Sequence, residues 1–143
     1  MIFDRVEKEE KKIVFIYTTC SNKEEARLIG FSVIEERLAV CADFWPINSI
    51  YPWQDVIQEA SQYMLMITTE KLLAEKLIKF VEKIHSYKIP FITEIDSSIS
   101  NSAYKLWVNK TLEGKTKYLS TYEKEQKDQK AEEGVYQYGR LSN

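Results

Sequence analysis

Residues 56–68 constrain this chain more than any other stretch. They read as one strand, mixed polar in its first half and apolar in its second, Met64-Leu65-Met66-Ile67. That is roughly twice the usual ~5–6 residues of a strand. Upstream, residues 38–44 read as a strand buried on both faces, and residues 49–53 continue it. Trp45-Pro46-Ile47-Asn48 interrupts the run, and Pro46 lacks a ladder donor, which predicts a bulge or a sheet edge. A turn at Gln54-Asp55 then closes a long hairpin. Such a hairpin projects past the core of a single domain, and its open edges invite pairing with another chain. Trp45, Tyr51 and Trp53 put large aromatics on it, the residue types that anchor interfaces.

The rest of the body alternates around this hairpin. Ile13-Val14-Phe15-Ile16-Tyr17 is a β-branched and aromatic run of strand length. A break over residues 18–22 follows, with a helix cap from Ser21 with Glu24 or Asn22 with Glu25. Ala26, Ile29, Val33 and Ile34 form one helical stripe that ends near Arg37. Thr69 is a plausible cap for a second helix striped by Leu73, Leu77, Phe80, Val81 and Ile84, and Pro90 lies beyond its end. Residues 91–95 read as a fourth strand. A last helix starts at Asn101 or Ser102, with Tyr104, Trp107, Val108 and Thr111 on one side. The order β-α-β-β-α-β-α predicts an α+β fold: a ferredoxin-like split βαβ sandwich with an antiparallel sheet, helices on one face, a long hairpin between its second and third strands, and an extra C-terminal helix.

Three segments follow from the patterning. Residues 1–11 are a charged lead, residues 12–112 the domain, and residues 113–143 a charged tail with Tyr118, Tyr122, Tyr136 and Tyr138. The tail is too poor in aliphatics to make its own core.

Composition removes several function classes. With 20 Lys+Arg against 22 Asp+Glu, the net charge is -2, which argues against nucleic-acid binding. One His and 2 Cys cannot close a structural zinc site in one chain. Neither GxGxxG nor GxxxxGK[ST] occurs, and no Ser/His/Asp arrangement has catalytic spacing, so no enzyme is expected. No apolar run is long enough for a bilayer, and Met1 to Lys12 holds no apolar signal segment. The expectation is a cytoplasmic protein with free thiols and no membrane association.

Two residue types carry chemistry. His85 reads either as a helix-end or loop histidine, or as a ligand at a subunit boundary completed by another chain, with Cys41 or Cys20 as helper. Cys41, between Val40 and Ala42, reads as a small core residue. Cys20, in the strand-to-helix turn, reads as an exposed thiol or as one activated by the helix N-terminus. Glu94 and Asp96 read as solvated edge charge or as groups approaching a ligand.

Four runs together resemble the CutA family of divalent-cation-tolerance proteins. They are Glu36-Arg37-Leu38-Ala39-Val40-Cys41-Ala42, Pro46-Ile47-Asn48-Ser49-Ile50-Tyr51-Pro52-Trp53, His85-Ser86-Tyr87-Lys88-Ile89-Pro90, and Tyr104-Lys105-Leu106-Trp107. The resemblance covers about residues 13–112. It implies a ferredoxin-like protomer in a homotrimer similar to PII signalling proteins, without enzymatic activity. It also implies a role in copper tolerance, with copper or another divalent cation held at intersubunit clefts. Carried over residue by residue, the cleft positions are Cys41, Tyr51, Trp53, Tyr87 and Trp107, with His85 as the metal ligand. An alternative is a trimer that binds a protein partner through loops or tail without metal. The chain departs from the family pattern at Ser86, where Pro is usual, and at Phe91, where Glu is usual. It departs again in the turn Trp53-Gln54-Asp55-Val56, which lacks the family's acid, glycine and lysine.

Overall fold

A computed structural model describes residues 2–141, with side chains described as far as residue 132, Glu7 excepted. The elements are α1 (Ile2–Glu10), β1 (Ile13–Cys20), α2 (Lys23–Glu35), β2 (Cys41–Trp53), β3 (Val56–Glu70), α3 (Lys71–Ile84), β4 (Ile92–Asp96), α4 (Ser102–Glu113) and α5 (Thr121–Leu141). The sheet is fully antiparallel in the order β2-β3-β1-β4, the split βαβ arrangement that the element order implies. Residues 1–11 are more than a charged lead, since most of them form α1. The tail likewise contains a helix. Of its tyrosines, Tyr136 and Tyr138 lie outside the residues whose side chains are described.

Alternation along β1 sends Val14, Ile16, Thr18 and Cys20 to one face, where all four are buried. Their β3 partners Leu65 and Ile67 share that face. The amphipathic stripes of α2 (Ala26, Ile29, Val33) and α3 (Ala74, Leu77, Val81) close over it into a single core. Gly30 lets α2 approach β2, because a Cβ there would stand 3.1 Å from that of Ala42.

Several local expectations shift. β1 runs three residues further than its apolar run, so Cys20 ends a strand and is fully buried. β2 begins only at Cys41. Leu38 and Ala39 are buried as expected but lie in a connection, held where Thr69 Oγ1 donates to Leu38 O at 2.6 Å. That bond occupies Thr69 inside β3, and the residue capping α3 is Glu70, without a side-chain cap bond. For α2 the cap is Asn22, which accepts from Glu25 N at 2.8 Å. Pro46 sits on the edge strand as predicted but makes no bulge; the register is unbroken from Cys41↔Thr68 to Trp53↔Val56.

The tail is tied at its base. Arg37 Nη1 donates to Thr111 O at 2.7 Å and Arg37 Nη2 to Thr116 O, and the guanidinium lies 3.7 Å over the Tyr118 ring. A Cβ at Gly114 would stand 2.6 Å from Arg37 Nη1, so a side chain there would push the guanidinium aside. The strap formed this way walls a groove of about 730 Å³ between α2 and β2, floored by Phe31, Ile34, Ala42 and Phe44.

The hairpin turns at Gln54 and Asp55, with φ of 48° and 63°. Two successive left-handed residues in a two-residue loop are what the twist of an antiparallel hairpin favours, and glycine or Asn-Gly usually supplies them. Here two side chains bear the strain. Asp55→Gly should therefore stabilise the fold by about 1 kcal/mol in urea unfolding. A destabilised variant would show that Asp55 is not strained in the native turn.

Candidate functional site

His85 caps the C-terminal end of α3. Its ring is fixed on both nitrogens. Tyr87 N donates to Nδ1 at 3.1 Å, so Nδ1 carries a lone pair and the proton belongs on Nε2. Nε2 then donates to Thr19 O at 3.0 Å, with Thr18 Oγ1 at 3.1 Å. A backbone carbonyl holding one nitrogen's proton is how proteins orient an imidazole whose other nitrogen meets a metal.

Glu25, in the first turn of α2, joins this histidine to the strand end. Its Oε1 accepts from Ser21 N at 2.9 Å and its Oε2 from Ser86 N at 3.0 Å. Burial pushes the Glu25 carboxyl up. Hydrogen bonds from Ser86 and Ser21 and the nearby His85 outweigh it, and the net shift is downward. Ser86 stands where the resemblance leads one to expect proline, which has no N–H to give. The departure noted in the sequence thus creates a contact of this chain's own.

Cys20 completes the group. One donor atom each from Cys20, Glu25 and His85 lies within 4.8 Å of the others. Burial, with the Glu25 charge second, pushes the Cys20 thiol up to about 12, so it is a protonated, buried thiol and not an activated one at an exposed turn. Sulfur, carboxylate oxygen and imidazole nitrogen are a donor set that suits zinc and other borderline divalent cations. By donor chemistry these residues fit such an ion.

The sequence-derived cleft positions fall into two places within one chain. Tyr87 stays with His85, ring centroids 5.0 Å apart, and its hydroxyl donates to Gln62 Oε1 at 2.8 Å. Burial raises the Tyr87 phenol, and Tyr51 is among the neighbours that add to the shift. Trp53 is further out, at the hairpin end, and exposed. Cys41 lies elsewhere. It pairs with Thr68, whereas the His85 end of β1 pairs at Met64, a step of about 13 Å along the strands. Its neighbours are Asp43 and Tyr104, and Tyr104 stacks on Trp107 at 5.6 Å. Cys41 and Trp107 therefore do not meet His85 in the same protomer. None of these positions lines the large groove beside the tail. Of the two cysteines offered as helpers to His85, Cys20 is the one that stands beside it, within the same chain, whereas Glu25 escaped the sequence reading as a partner because it read as a cap. Glu94 is spoken for, its Oε2 accepting from Lys71 Nζ at 2.6 Å.

The profile of the CutA1 divalent ion tolerance protein family matches residues 14–111. The chain belongs to the CutA1 family. Protein CutA of Mus musculus is 35% identical over 98 residues, 68% of this chain and 55% of that protein. The chain thus spans about half the length of this mammalian relative. The divalent-cation tolerance protein CutA of Archaeoglobus fulgidus is 29% identical over 99 residues and is covered over 97% of its length. Among solved structures, CutA1 of Ehrlichia chaffeensis superposes with a TM-score of 0.69 at 29% identity, covering 71% of this chain and 95% of that one. CutA1 of Oryza sativa gives 0.68 at 29% identity, covering 70% and 93%. The fold is the ferredoxin-like one of the family, and the N-terminal helix and the tail lie outside the matched region.

The lowered carboxyl of Glu25 makes a pH prediction. Its share of the stability is fully present above the ordinary carboxylate value of about 4.3. It disappears as pH falls through the lower folded value. The stability gap between the natural chain and Glu25→Gln, read from urea unfolding, should therefore shrink between pH 7 and pH 3. A gap that stays constant would show that the carboxylate is not held by these bonds.

Proposed function

We propose that this CutA1-family chain is a non-enzymatic homotrimer that binds a divalent cation, copper among them, at or near its intersubunit clefts, and so serves divalent-ion tolerance. The observation that supports the assembly is the second face of the sheet. An antiparallel sheet with one free face normally covers it with polar residues. Here strand alternation puts Phe15, Tyr17, Trp45, Ile47, Met64, Met66 and Ile95 there. Trp45 and Ile95 are exposed. One end of this face is covered by α4, whose Val108 is buried and whose Asn109 Nδ2 donates to Glu70 Oε2 at 2.8 Å. Asp43, Thr68, Thr93 and Gln62 interrupt it, but a face with this many large apolar side chains supports reading it as an association surface. The outer half of the hairpin adds a free β2 edge, ready to pair with a second copy.

Trimerisation would bring three copies of each half-site together, so that Cys41 and Trp107 of one subunit approach Tyr51, Tyr87 and His85 of another. The two free thiols suit a reducing, cytoplasmic setting. Among the described residues no helix is long and apolar enough to cross a membrane.

Native mass spectrometry with Cu(II) reads assembly and metal together. The expected spectrum shows trimers carrying up to one copper per chain, and Met66→Glu, which places a charge on the open face, yields monomers. Trimers that bind no divalent cation would remove the metal half of the reading. A Met66→Glu variant that stays trimeric would place the interface elsewhere.

A further inference from the structure

We propose that Cys20, Glu25 and His85 bind a borderline divalent cation such as Zn(II) as one site within each chain, and that filling it releases the loop after α3. The proposal rests on the divalent-cation reading above and gives it a location and a consequence.

The location follows from convergence. Three unlike donors reach one point from three elements: the end of β1, the first turn of α2 and the end of α3. Cys20 is buried and the other two are half-buried, so the point is partly shielded from water. Zinc bonds of about 2.0–2.3 Å in a tetrahedron place donors roughly 3.5 Å apart. The donors need to close by up to about 1.3 Å from their 4.8 Å envelope. The Nε2–H bond to Thr19 O aligns the ring and leaves Nδ1 as the ligating nitrogen.

The consequence follows from competition for the same electron pairs. The Nδ1 lone pair holds the Tyr87 amide, and Glu25 Oε2 holds the Ser86 amide. A cation that takes Nδ1 must displace the first. One that draws Glu25 inward loosens the second. Ligation also replaces the S–H bond of Cys20 by an S–metal bond, and its proton leaves to solvent. Two successive backbone anchors of the loop are thus exchanged for three metal bonds. Tyr87 is the residue that feels it, and its hydroxyl rests on Gln62 at the base of the hairpin. Metal occupancy would therefore be transmitted to the strand pair that forms the proposed assembly surface. The two alternatives, amides held or metal held, make a two-state element that the cation biases. Ser86 supplies the second of these anchors; proline at that position has no N–H to donate to Glu25.

The test uses the full chain titrated with Zn(II). Calorimetry should give one zinc per chain, weakened at least tenfold in Cys20→Ser and in His85→Ala. Amide exchange at Ser86 and Tyr87 should accelerate when zinc is added. Co(II) in place of zinc should give a thiolate charge-transfer band that Cys20→Ser abolishes. If a substitution of buried Cys20 fails to fold, Glu25→Gln tests the same site and should also weaken zinc. Zinc binding indifferent to all three substitutions would overturn this site while leaving divalent-cation binding intact. No binding of Zn(II) or Cu(II) at all would overturn both. Tight binding with unchanged exchange at Ser86 and Tyr87 would overturn the release of the loop.

Discussion

The rest of the molecule depends on the ladder that β3 makes with both of its neighbours. Over its inner half β3 pairs with β1 on one side and β2 on the other; over its outer half it has β2 alone. The inner half is where helices can cover one face, and Leu65 and Ile67 are fully buried there. Among the described residues, no third strand pairs with the outer half. One continuous strand thus welds a self-sufficient core to an extension that, in the proposed assembly, another copy of the chain stabilises. The outer stretch of free β2 edge and the projecting aromatic hairpin are both consequences of that single over-long strand.

The fold was legible because its periodicities are clean. The hairpin, both amphipathic helices and the β-α-β-β-α-β-α order follow from residue spacing. Mistakes fell where a tertiary contact overrides local pattern. Leu38 and Ala39 have strand composition but are buried in a connection because Thr69 reaches across to Leu38 O. Thr69 is therefore not free to cap α3. The turn defied its composition: Gln54 and Asp55 take left-handed conformations that the sequence gives no glycine to support. The long ladder on either side imposes them.

The candidate site was half legible. His85 stands out as the one imidazole, and Tyr87 travels with it in the same short run. Its other companions are separated in sequence by some sixty residues and are joined only by the packing of α2 and α3 beside β1. A cap glutamate carries no mark in a sequence that says it will meet a histidine, and only the fold decides which of the two cysteines lies beside His85. Ser86 reads as a lost proline and turns out to be a gained hydrogen bond to Glu25. Conversely, Cys41 and Trp107 are carried over with His85 as cleft positions, yet they sit at the far end of the sheet within one chain. The strap fixed by Arg37 shows the same principle outside the family region, where one arginine at the α2–β2 corner organises a segment with little core of its own.

The central claim is that the open face of the sheet is an intersubunit surface. Light scattering on the natural chain, followed across dilution, tests it most directly. The account predicts a mass three times that of the 16.9 kDa chain, held to low concentration. A stable 16.9 kDa monomer in solution would contradict it.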